Sequence, residues 1–260
     1  PGDLPKEVTR KQLLETAGVS AAVVNGLVEK RVLETYTAEV GRLIREDRDL
    51  QALHTLSEAQ EVAFRQILTT FHTKNVCLLH GVTASGKTEI YIHLIQQVLS
   101  VGKQVLYLLP EIALTTQITE RLKRVFGDKL GIYHSKFPDA ERVEIWRKQL
   151  SEHDYDVILG VRSSVFLPFR RLGLVIVDEE HEQTYKQQDP APRYHARNAA
   201  IVLSSLFGAK TLLGTATPSI ETYYNALQGK HGLAELTERH RQICLPRIEV
   251  VDIKELAHKK

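Results

Sequence analysis

The chain has 260 residues, of which 43% are hydrophobic and 25% are charged, and its formal net charge is +2. This composition is typical of a globular protein with a substantial core, and it excludes a strongly basic tail. Cys77 and Cys244 lack the spacing of a zinc site or a disulfide scaffold, and no stretch approaches the roughly eighteen apolar residues of a membrane span. We therefore predict a cytoplasmic protein that contacts no membrane and holds no zinc in this part of the chain.

The sequence begins with Pro-Gly-Asp and contains no methionine. At an average usage of about 2%, roughly six methionines are expected in a chain of this length. We therefore expect the sequence to be a piece of a longer protein.

Residues 1–40 have the pattern of a small helical domain. A helix is predicted over about 9–17, a glycine-containing turn follows, and a second helix ends near Lys30, before an extended stretch. Two short helices joined by such a turn are typical of a helix-turn-helix, and the extended stretch would be the wing of a winged helix. A small helical packing module is the alternative. The second helix carries Asn25, Glu29 and Lys30, so its surface is not strongly basic and DNA contact does not follow from its shape.

A charge-dense linker is predicted at residues 41–55, and an alternation of strands and helices follows it. Unbroken apolar strands separated by helices indicate a parallel sheet covered on both faces, in which ligands bind beyond the carboxyl ends of the strands. The predicted strands are Val76–Leu79, Val105–Leu109, Val157–Leu159, Leu174–Val177 and Thr211–Leu213. The predicted helices are Glu58–Phe71, Lys87–Leu99, Thr116–Phe126, Ala140–Leu150, Ala196–Leu206 and Ile220–Leu227.

The first predicted strand leads into GVTASGKT, which matches the phosphate-binding pattern G-x-x-x-x-G-K-[ST]. A strand before it and a helix after it complete the context that this pattern requires. The backbone amides of Gly81, Ser85 and Gly86 are expected to surround phosphates at the helix N-terminus. Lys87 would reach the β- and γ-phosphates, and Thr88 would bind Mg²⁺. The motif therefore predicts a nucleoside triphosphate site.

A second strand, Leu174–Val177, ends on the sequence Asp-Glu-Glu-His. In a phosphate-binding-loop site, a neighbouring buried strand delivers an acidic residue to the metal. We predict that Asp178 coordinates Mg²⁺, directly or through water, and that Glu179 is the base that orients and deprotonates the attacking water. Two adjacent carboxylates can have separate tasks because the metal neutralises one and leaves the other free.

Two further stretches each have two interpretations. The segment LLGTATPS carries the small hydrogen-bonding residues Thr215 and Thr217 and is either a turn with a helix cap or part of a functional site. Ser57 and Gln60 have the spacing of a capping box, so Gln60 closes the start of a helix. The alternative is that its amide reads the edge of an adenine base.

The segments GVTASGKT, DEEH and GTATPS, in this order, resemble motifs I, II and III of superfamily 2 helicase motors. With LLPEIALT, DEEHEQTYKQQ and RYHAR, the chain is similar to the primosomal protein N′ family of bacterial replication-restart DNA helicases. This resemblance covers nearly the whole chain. It implies a winged-helix-like domain at 1–40, a RecA-like P-loop NTPase lobe at 56–235, and the start of a connection to a second lobe at 236–260.

The resemblance implies that the full protein is an ATP-dependent 3′-to-5′ DNA helicase that acts in restart of stalled replication forks and in primosome assembly. Its ligands would be ATP, Mg²⁺, and single-stranded and forked DNA, and its partners would be primosome proteins and single-strand-binding proteins. Another superfamily 2 DNA translocase, such as a restriction or recombination motor, is one alternative. A non-catalytic, ATP-dependent DNA-binding or assembly module is the other.

Roles for individual residues also follow from the resemblance. Lys87 and Thr88 would hold phosphate and magnesium, Asp178 and Glu179 would complete the hydrolytic site, and Gln60 would contact the adenine. A coupling set would link the nucleotide to DNA: His181, Thr215 and Thr217. A set on earlier loops would contact single-stranded DNA: Glu111, Thr115, Arg162 and Ser163.

The tail that begins at Thr184 resembles an aromatic-rich loop that senses DNA and triggers hydrolysis. Its rings would stack on bases, and its cations would pair with phosphates. The rings are those of Tyr185, Tyr194 and His195, and the cations are Lys186, Arg193 and Arg197. Two positions depart from the family: Val161 replaces a usual threonine, and Pro192 stands where an aromatic residue is common.

The resemblance also places several parts outside this sequence: paired zinc-binding cysteines, a second motor lobe with an arginine finger, and an amino-terminal domain that binds DNA ends. An arginine finger accelerates such phosphoryl transfers by about 10³–10⁵. We therefore predict that this piece binds ATP but hydrolyses it weakly.

Overall fold

The computed structural model describes residues 13, 17–30, 32–33, 50–135 and 137–238. The chain divides into two compact units, Pro1–Ile44 and Arg45–Lys260. Most of the predicted first helix, the predicted wing and nearly all of the predicted connection at 236–260 lie outside the described residues.

In the first unit, the structure describes helix α1, Ala21–Glu29, which confirms the second predicted helix. The helix follows Ser20, whose backbone is extended. Val24 is buried, whereas the neighbouring Val23 is exposed, so the helix has one inward face.

The second unit is built on a seven-stranded sheet with the order β3-β4-β2-β5-β6-β1-β7, and every described strand pair is parallel. The strands are β1 Val76–Gly81, β2 Gln104–Leu108, β3 Leu130–Tyr133, β4 Val157–Gly160, β5 Leu172–Asp178, β6 Lys210–Thr215 and β7 Gly232–Leu236. The helices are α2 Glu58–Thr73, α3 Lys87–Ser100, α4 Thr116–Phe126, α5 Asp139–Leu150, α6 Ala196–Phe207 and α7 Ile220–Leu227. All of the predicted strands and helices of this unit are confirmed, with small shifts at their ends.

The sheet separates two apolar cores. Side chains from α2, α3 and α4 pack on one face, and side chains from α5, α6 and α7 pack on the other. Successive strand residues enter opposite cores, as Leu106 and Tyr107 of β2 do. The strand β5 is apolar from Leu172 to Val177, and each of these six residues is buried, as expected for a strand covered on both faces.

The two edge strands, β3 and β7, were not predicted. In β7, buried residues alternate with more exposed ones, and Gly232 and Glu235 are poor strand formers. The strand β3 is only four residues long. Unbroken apolar runs mark strands buried on both faces, so half-covered or short edge strands lack that signal.

The end of the predicted linker at 41–55 packs on the second unit. The backbone N–H of Gln51 donates to the carbonyl of Arg124 at 2.8 Å, and Leu53 packs against one of the two apolar cores. The carbonyl oxygen of His54 lies 2.8 Å from the Nε2 atom of His93. Residues 41–49 lie outside the described part. Among the helices that the structure describes, none has the length and apolar content needed to cross a membrane.

Candidate functional site

Three of the motifs meet at the carboxyl edge of the sheet because β5, β6 and β1 are neighbours. Asp178, the last residue of β5, is paired in register with Gly214 of β6, and Thr215 of β6 is paired with His80 of β1. The loop 81–88 follows β1 directly. The strand order thus brings together the phosphate-binding loop, the acidic residues and the Thr215 segment.

The phosphate-binding loop is held by contacts within the protein. Gly86 has φ +83°, and a Cβ at this position would overlap Nε2 of Gln60, so glycine is required there. The Lys87 ammonium is buried, donates to the carbonyl of Gly81 at 2.9 Å and lies 4.0 Å from Oε1 of Glu179. The hydroxyl of Ser85 is buried with no hydrogen-bond partner among the described residues.

The carboxyl group of Asp178 has a raised pKa. Burial, with a smaller contribution from the neighbouring charge of Glu179, raises its pKa from 3.8 to about 6. A hydrogen bond from Tyr91 and the charge of Lys87 act in the opposite direction. A cation bound at this carboxylate would relieve the cost of burying its charge.

Glu179 has a left-handed backbone, with φ +47°, which is uncommon for a residue with a side chain. The carboxylate of Glu179 accepts a hydrogen bond from the Thr215 hydroxyl at 3.4 Å and lies 3.7 Å from Nδ1 of His181. About a third of its side chain, 34%, is exposed. The turn therefore leaves Glu179 accessible at the strand end, next to Lys87.

His181, Thr215 and Thr217 form one hydrogen-bonded cluster. Nδ1 of His181 lies 2.7 Å from the Thr215 hydroxyl, and its Nε2 lies 3.3 Å from the Thr217 hydroxyl. The backbone N–H of Thr217 donates to the Thr215 hydroxyl at 3.1 Å. The predicted coupling residues are thus in direct contact with one another and, through Thr215, with Glu179.

Glu180 is a site residue for which the sequence suggested no role. Its carboxylate is fully buried and accepts hydrogen bonds from the backbone N–H of Ser219 at 2.7 Å and from the Thr222 hydroxyl at 2.9 Å. It also forms an ion pair of 2.7 Å with Arg197. A buried charge needs such partners. In the sequence, the one sign that Glu180 has a role is that it is the third consecutive acidic residue at the end of a buried strand.

Arg197 is the ion-pair partner of Glu180. Its side chain is only 12% exposed, and its guanidinium donates to Glu180 and to the Ser219 hydroxyl, each at 2.7 Å. The predicted contact with a DNA phosphate would require this group to leave its buried partner.

Tyr185 is also turned inward. Its ring is 1% exposed, and its hydroxyl donates to the carbonyl of Asp178 at 2.7 Å and to the carbonyl of Leu108 at 3.1 Å. The ring is therefore covered rather than open for stacking on a base. A buried aromatic residue with satisfied hydroxyl contacts braces the end of β5.

The rest of the aromatic-rich loop folds back on itself. The guanidinium of Arg162 donates to the carbonyls of Thr184 and Lys186, both at 3.1 Å, and the Lys186 ammonium donates to the carbonyl of Arg193. The half-buried Tyr194 packs edge-on against Phe166, with ring centroids 4.8 Å apart. Arg193 remains exposed.

His195 lies at the end of the same loop and is partly buried. Burial lowers its pKa, and the charges of Arg197 and Lys186 act in the same direction. The ring is therefore held in its neutral form more strongly than an exposed histidine.

The other predicted DNA-contacting residues follow β2 and β4 at the same edge of the sheet. Glu111 is exposed and accepts a hydrogen bond from the Ser135 hydroxyl at 3.0 Å. Thr115 caps α4, where its hydroxyl accepts from the N–H of Ile118 at 3.5 Å. Ser163 is partly exposed in a 3₁₀ turn that Arg162 begins. These residues lie on the carboxyl side of the strands, but the structure does not draw them into the Asp178 cluster.

Gln60 forms the predicted capping box. Its Oε1 accepts from the N–H of Ser57 at 2.9 Å, and its own N–H donates to the Ser57 hydroxyl at 3.3 Å. Nε2 of Gln60 donates to the carbonyls of Ser85 and Gly86 at 3.4 and 3.3 Å. The capping interpretation is confirmed, and the amide also braces the phosphate-binding loop. Contact with adenine stays a prediction.

Known protein families match both units of the chain. The family model described as DEAD/DEAH box helicase matches residues 57–226, more than half of the sequence, and the chain belongs to this family. A model described as the winged helix domain of PriA helicase from Bacteroidota matches residues 2–40. Together with the parallel sheet, these matches confirm the predicted fold class of a RecA-like lobe preceded by a winged-helix-like domain.

Within the helicase family, the chain is similar to proteins of one kind, the replication restart proteins PriA. The chain is 36% identical to the replication restart protein PriA of Bacillus subtilis over 253 residues, which cover 96% of this chain and 31% of that protein. It is 44% identical to PriA of Rickettsia felis over 231 residues, 88% of this chain and 35% of that protein. It is 40% identical to PriA of Haemophilus influenzae over 243 residues, 90% of this chain and 33% of that protein. These similarities confirm the predicted resemblance, and the chain spans about a third of the length of these relatives.

A solved structure supports the fold. The Mycobacterium smegmatis helicase Lhr, bound to ssDNA and AMP-PNP, matches with a TM-score of 0.50 and 21% identity, over 70% of this chain and 26% of that chain. At this identity the match shows the fold alone. It agrees with a lobe built on a parallel sheet.

Proposed function

We propose that this chain is the ATP-binding lobe of a DNA helicase that acts in the restart of stalled replication forks. The observation that carries the proposal is the meeting of Lys87, Asp178 and Glu179 at one sheet edge, in a chain similar to replication restart proteins along most of its length. The 3′-to-5′ direction and a role in primosome assembly are proposed from the family resemblance.

In this function the loop 81–88 binds the ATP phosphates. The Lys87 ammonium exchanges the Gly81 carbonyl for phosphate oxygens, and the Ser85 hydroxyl gains the hydrogen-bond partner that the described residues do not provide. The N-terminus of α3 adds its partial positive charge.

The donor set suits Mg²⁺, which prefers oxygen ligands and keeps several waters. Asp178 and Thr88 would hold it, because one is a buried carboxylate with a raised pKa and the other is a hydroxyl in the first turn of α3. When bound, the ion neutralises charge on the phosphates.

Glu179 is the candidate general base. It is the more exposed of the two carboxylates that follow one another at the strand end. Among the described hydrogen bonds and ion pairs, its carboxylate contacts Lys87, Thr215 and His181. A base of this kind orients the attacking water and takes its proton. His181 and Thr215 contact Glu179, and Thr217 contacts both of them. This cluster would report the state of the nucleotide to the DNA-binding loops.

Single-stranded and forked DNA is the proposed substrate, since the curated relatives are named replication restart proteins. Exposed or partly exposed groups at the carboxyl edge of the sheet are available for it: Glu111, Thr115, Arg162, Ser163, Lys186, Arg193 and Tyr194. In the structure, Tyr185 and Arg197 support the loop from inside.

Primosome and single-strand-binding proteins are the proposed protein partners. Zinc is proposed for the remainder of the full protein.

The domain division proposed for the chain is a winged-helix-like domain at 1–40, a linker at 41–55, the RecA-like lobe at 56–235 and the start of a connection at 236–260. We also propose a cytoplasmic location, which suits a protein of DNA replication.

The test uses the full-length protein that contains this chain, with Glu179→Gln as the variant. We expect ATP binding to persist, while DNA-stimulated hydrolysis and unwinding of forked DNA fall at least about a hundredfold, as expected for loss of a general base. Glu152→Gln, a change at an exposed residue outside the site, is the matched control. Full ATP-dependent activity in Glu179→Gln would instead support a non-catalytic assembly module.

A further inference from the structure

Two buried tyrosines converge on the Asp178 carboxylate. Tyr91 lies on α3, one turn beyond the phosphate-binding loop, and its hydroxyl donates to Oδ1 at 2.9 Å. Tyr107 lies on β2, and its hydroxyl donates to Oδ2 at 3.3 Å. Both side chains are fully buried, with 0% exposure.

Packing alone does not require hydroxyls at these positions. The two rings pack edge-on, with centroids 5.5 Å apart, and phenylalanine rings would fill the same space. A buried hydroxyl costs free energy unless it is hydrogen-bonded. Both hydroxyls meet that requirement by donating to one carboxylate, so their shared feature is contact with Asp178.

The neighbouring strand leaves room for one of these hydroxyls. Gly214 of β6 is paired in register with Asp178. A Cβ at Gly214 would overlap the Tyr91 hydroxyl. The glycine therefore permits Tyr91 to reach the carboxylate.

The hydrogen bonds are unequally divided between the two carboxylate oxygens. Oδ1 accepts from Tyr91 at 2.9 Å and from the backbone N–H of Glu179 at 3.1 Å. Oδ2 accepts the longer bond from Tyr107 at 3.3 Å. Since each carboxylate oxygen has about two acceptor positions, both positions of Oδ1 are used, whereas Oδ2 has one position without a donor among the described residues.

We propose that Tyr91 and Tyr107 are positioning residues for the metal–nucleotide site, which hold the Asp178 carboxylate with Oδ2 presented to the divalent cation. Hydrogen bonds to a ligating carboxylate set its orientation, and their loss costs about 10–100-fold in metal affinity. The inference rests on the nucleotide site proposed above.

The experiment measures binding of a fluorescent, non-hydrolysable ATP analogue (methylanthraniloyl AMP-PNP) to this chain, in MgCl₂ and in EDTA. For Tyr91→Phe, the Kd in MgCl₂ should rise about tenfold, while the Kd in EDTA stays within about twofold of the wild-type value. Tyr107→Phe should show a smaller loss, about threefold, because its hydrogen bond is longer. Gly214→Ala should act in the same direction as Tyr91→Phe.

Tyr155→Phe is the matched control. It removes the hydroxyl of a buried tyrosine that precedes the amino end of β4, whereas Asp178 lies at the carboxyl end of β5. Circular dichroism establishes that each variant is folded, and Tyr107→Phe decides the outcome if Tyr91→Phe does not fold. Folded variants that keep the wild-type ratio of Kd in EDTA to Kd in MgCl₂ would overturn the positioning role. Failure of the nucleotide site itself looks different: the wild-type chain would not bind the analogue, or Lys87→Ala would bind it equally well.

Discussion

Glu180 and Arg197 form an ion pair of 2.7 Å beneath the surface of the sheet edge, with side chains that are 0% and 12% exposed. The same guanidinium donates to the hydroxyl of Ser219, the residue that caps α7. Glu180 follows β5, Arg197 lies in the first turn of α6, and Ser219 follows β6. The pair therefore connects the acidic motif to both the aromatic-rich loop and the Thr215 segment.

Arg197→Ala should destabilise the second unit by about 3–5 kcal/mol, because it leaves the buried Glu180 charge without its partner. Urea unfolding at pH 7.5, followed by circular dichroism, measures this change. Arg193→Ala, at an exposed position of the same loop, is the control and should change stability by less than about 0.5 kcal/mol.

Comparison of Arg197→Ala with Arg193→Ala also distinguishes a structural role of Arg197 from direct contact with DNA. If Arg197 instead binds a phosphate directly, its removal would leave stability near the wild-type value. The same variant would then lower the salt dependence of single-stranded DNA binding, with a slope smaller by about 0.7.

Asp178→Asn should stabilise the nucleotide-free chain at neutral pH. Its pKa is raised from 3.8 to about 6 in the folded state, so the folded protein binds this proton more tightly than the unfolded chain does. The stability that the protonated carboxyl provides is present below pH 3.8 and is lost as pH rises through about 6. A shift of this size corresponds to about 2–3 kcal/mol at pH 7.5.

Thermal unfolding of the wild type and of Asp178→Asn, at pH 4 and at pH 7.5, measures this prediction. The variant should melt several degrees higher at pH 7.5 and close to the wild type at pH 4. A variant that is less stable than the wild type at pH 7.5 would show that the hydrogen bonds to Asp178 outweigh the cost of burying its charge.

Gln60→Ala and Ser57→Ala should differ in their effect on nucleotide binding. Both remove half of the capping box of α2 and should cost about 1 kcal/mol of stability. Only Gln60→Ala also removes the donor to the carbonyls of Ser85 and Gly86, so only it should weaken binding of AMP-PNP to the chain. Isothermal titration calorimetry measures the affinity of each variant.

The same pair of variants tests the predicted adenine contact. If the Gln60 amide reads the base, Gln60→Ala should lose the preference for ATP over GTP, and Ser57→Ala should keep it. An unchanged preference in both variants would restrict Gln60 to bracing the loop.

This chain alone should bind ATP but release phosphate at least about 10³-fold more slowly than the full-length protein, if that protein completes the site with the arginine finger that the family resemblance implies. A phosphate-release assay with saturating single-stranded DNA measures both rates. A turnover of the chain within tenfold of the full-length rate would contradict the prediction. Lys87→Ala provides the background rate.

Local sequence determined the elements that form the centre of this fold. Apolar runs buried on both faces identify β1, β2, β4, β5 and β6, and helical periodicity identifies α2 to α7, because both patterns depend on neighbours along the chain. The phosphate-binding loop was recognisable for the same reason, since its glycines and its lysine act within eight consecutive residues.

Tertiary structure alone decided where the adjacent acidic side chains point. Asp178 meets two buried tyrosines, Glu179 has a left-handed backbone and stays accessible, and the buried Glu180 pairs with Arg197. Likewise, the sequence suggests that Tyr185 and Arg197 are surface groups of a DNA-sensing loop, whereas their partners include Leu108 and Ser219, which belong to other segments of the chain. The physical reason is that the cost of burying a hydroxyl or a charge depends on those distant partners, which no local pattern contains.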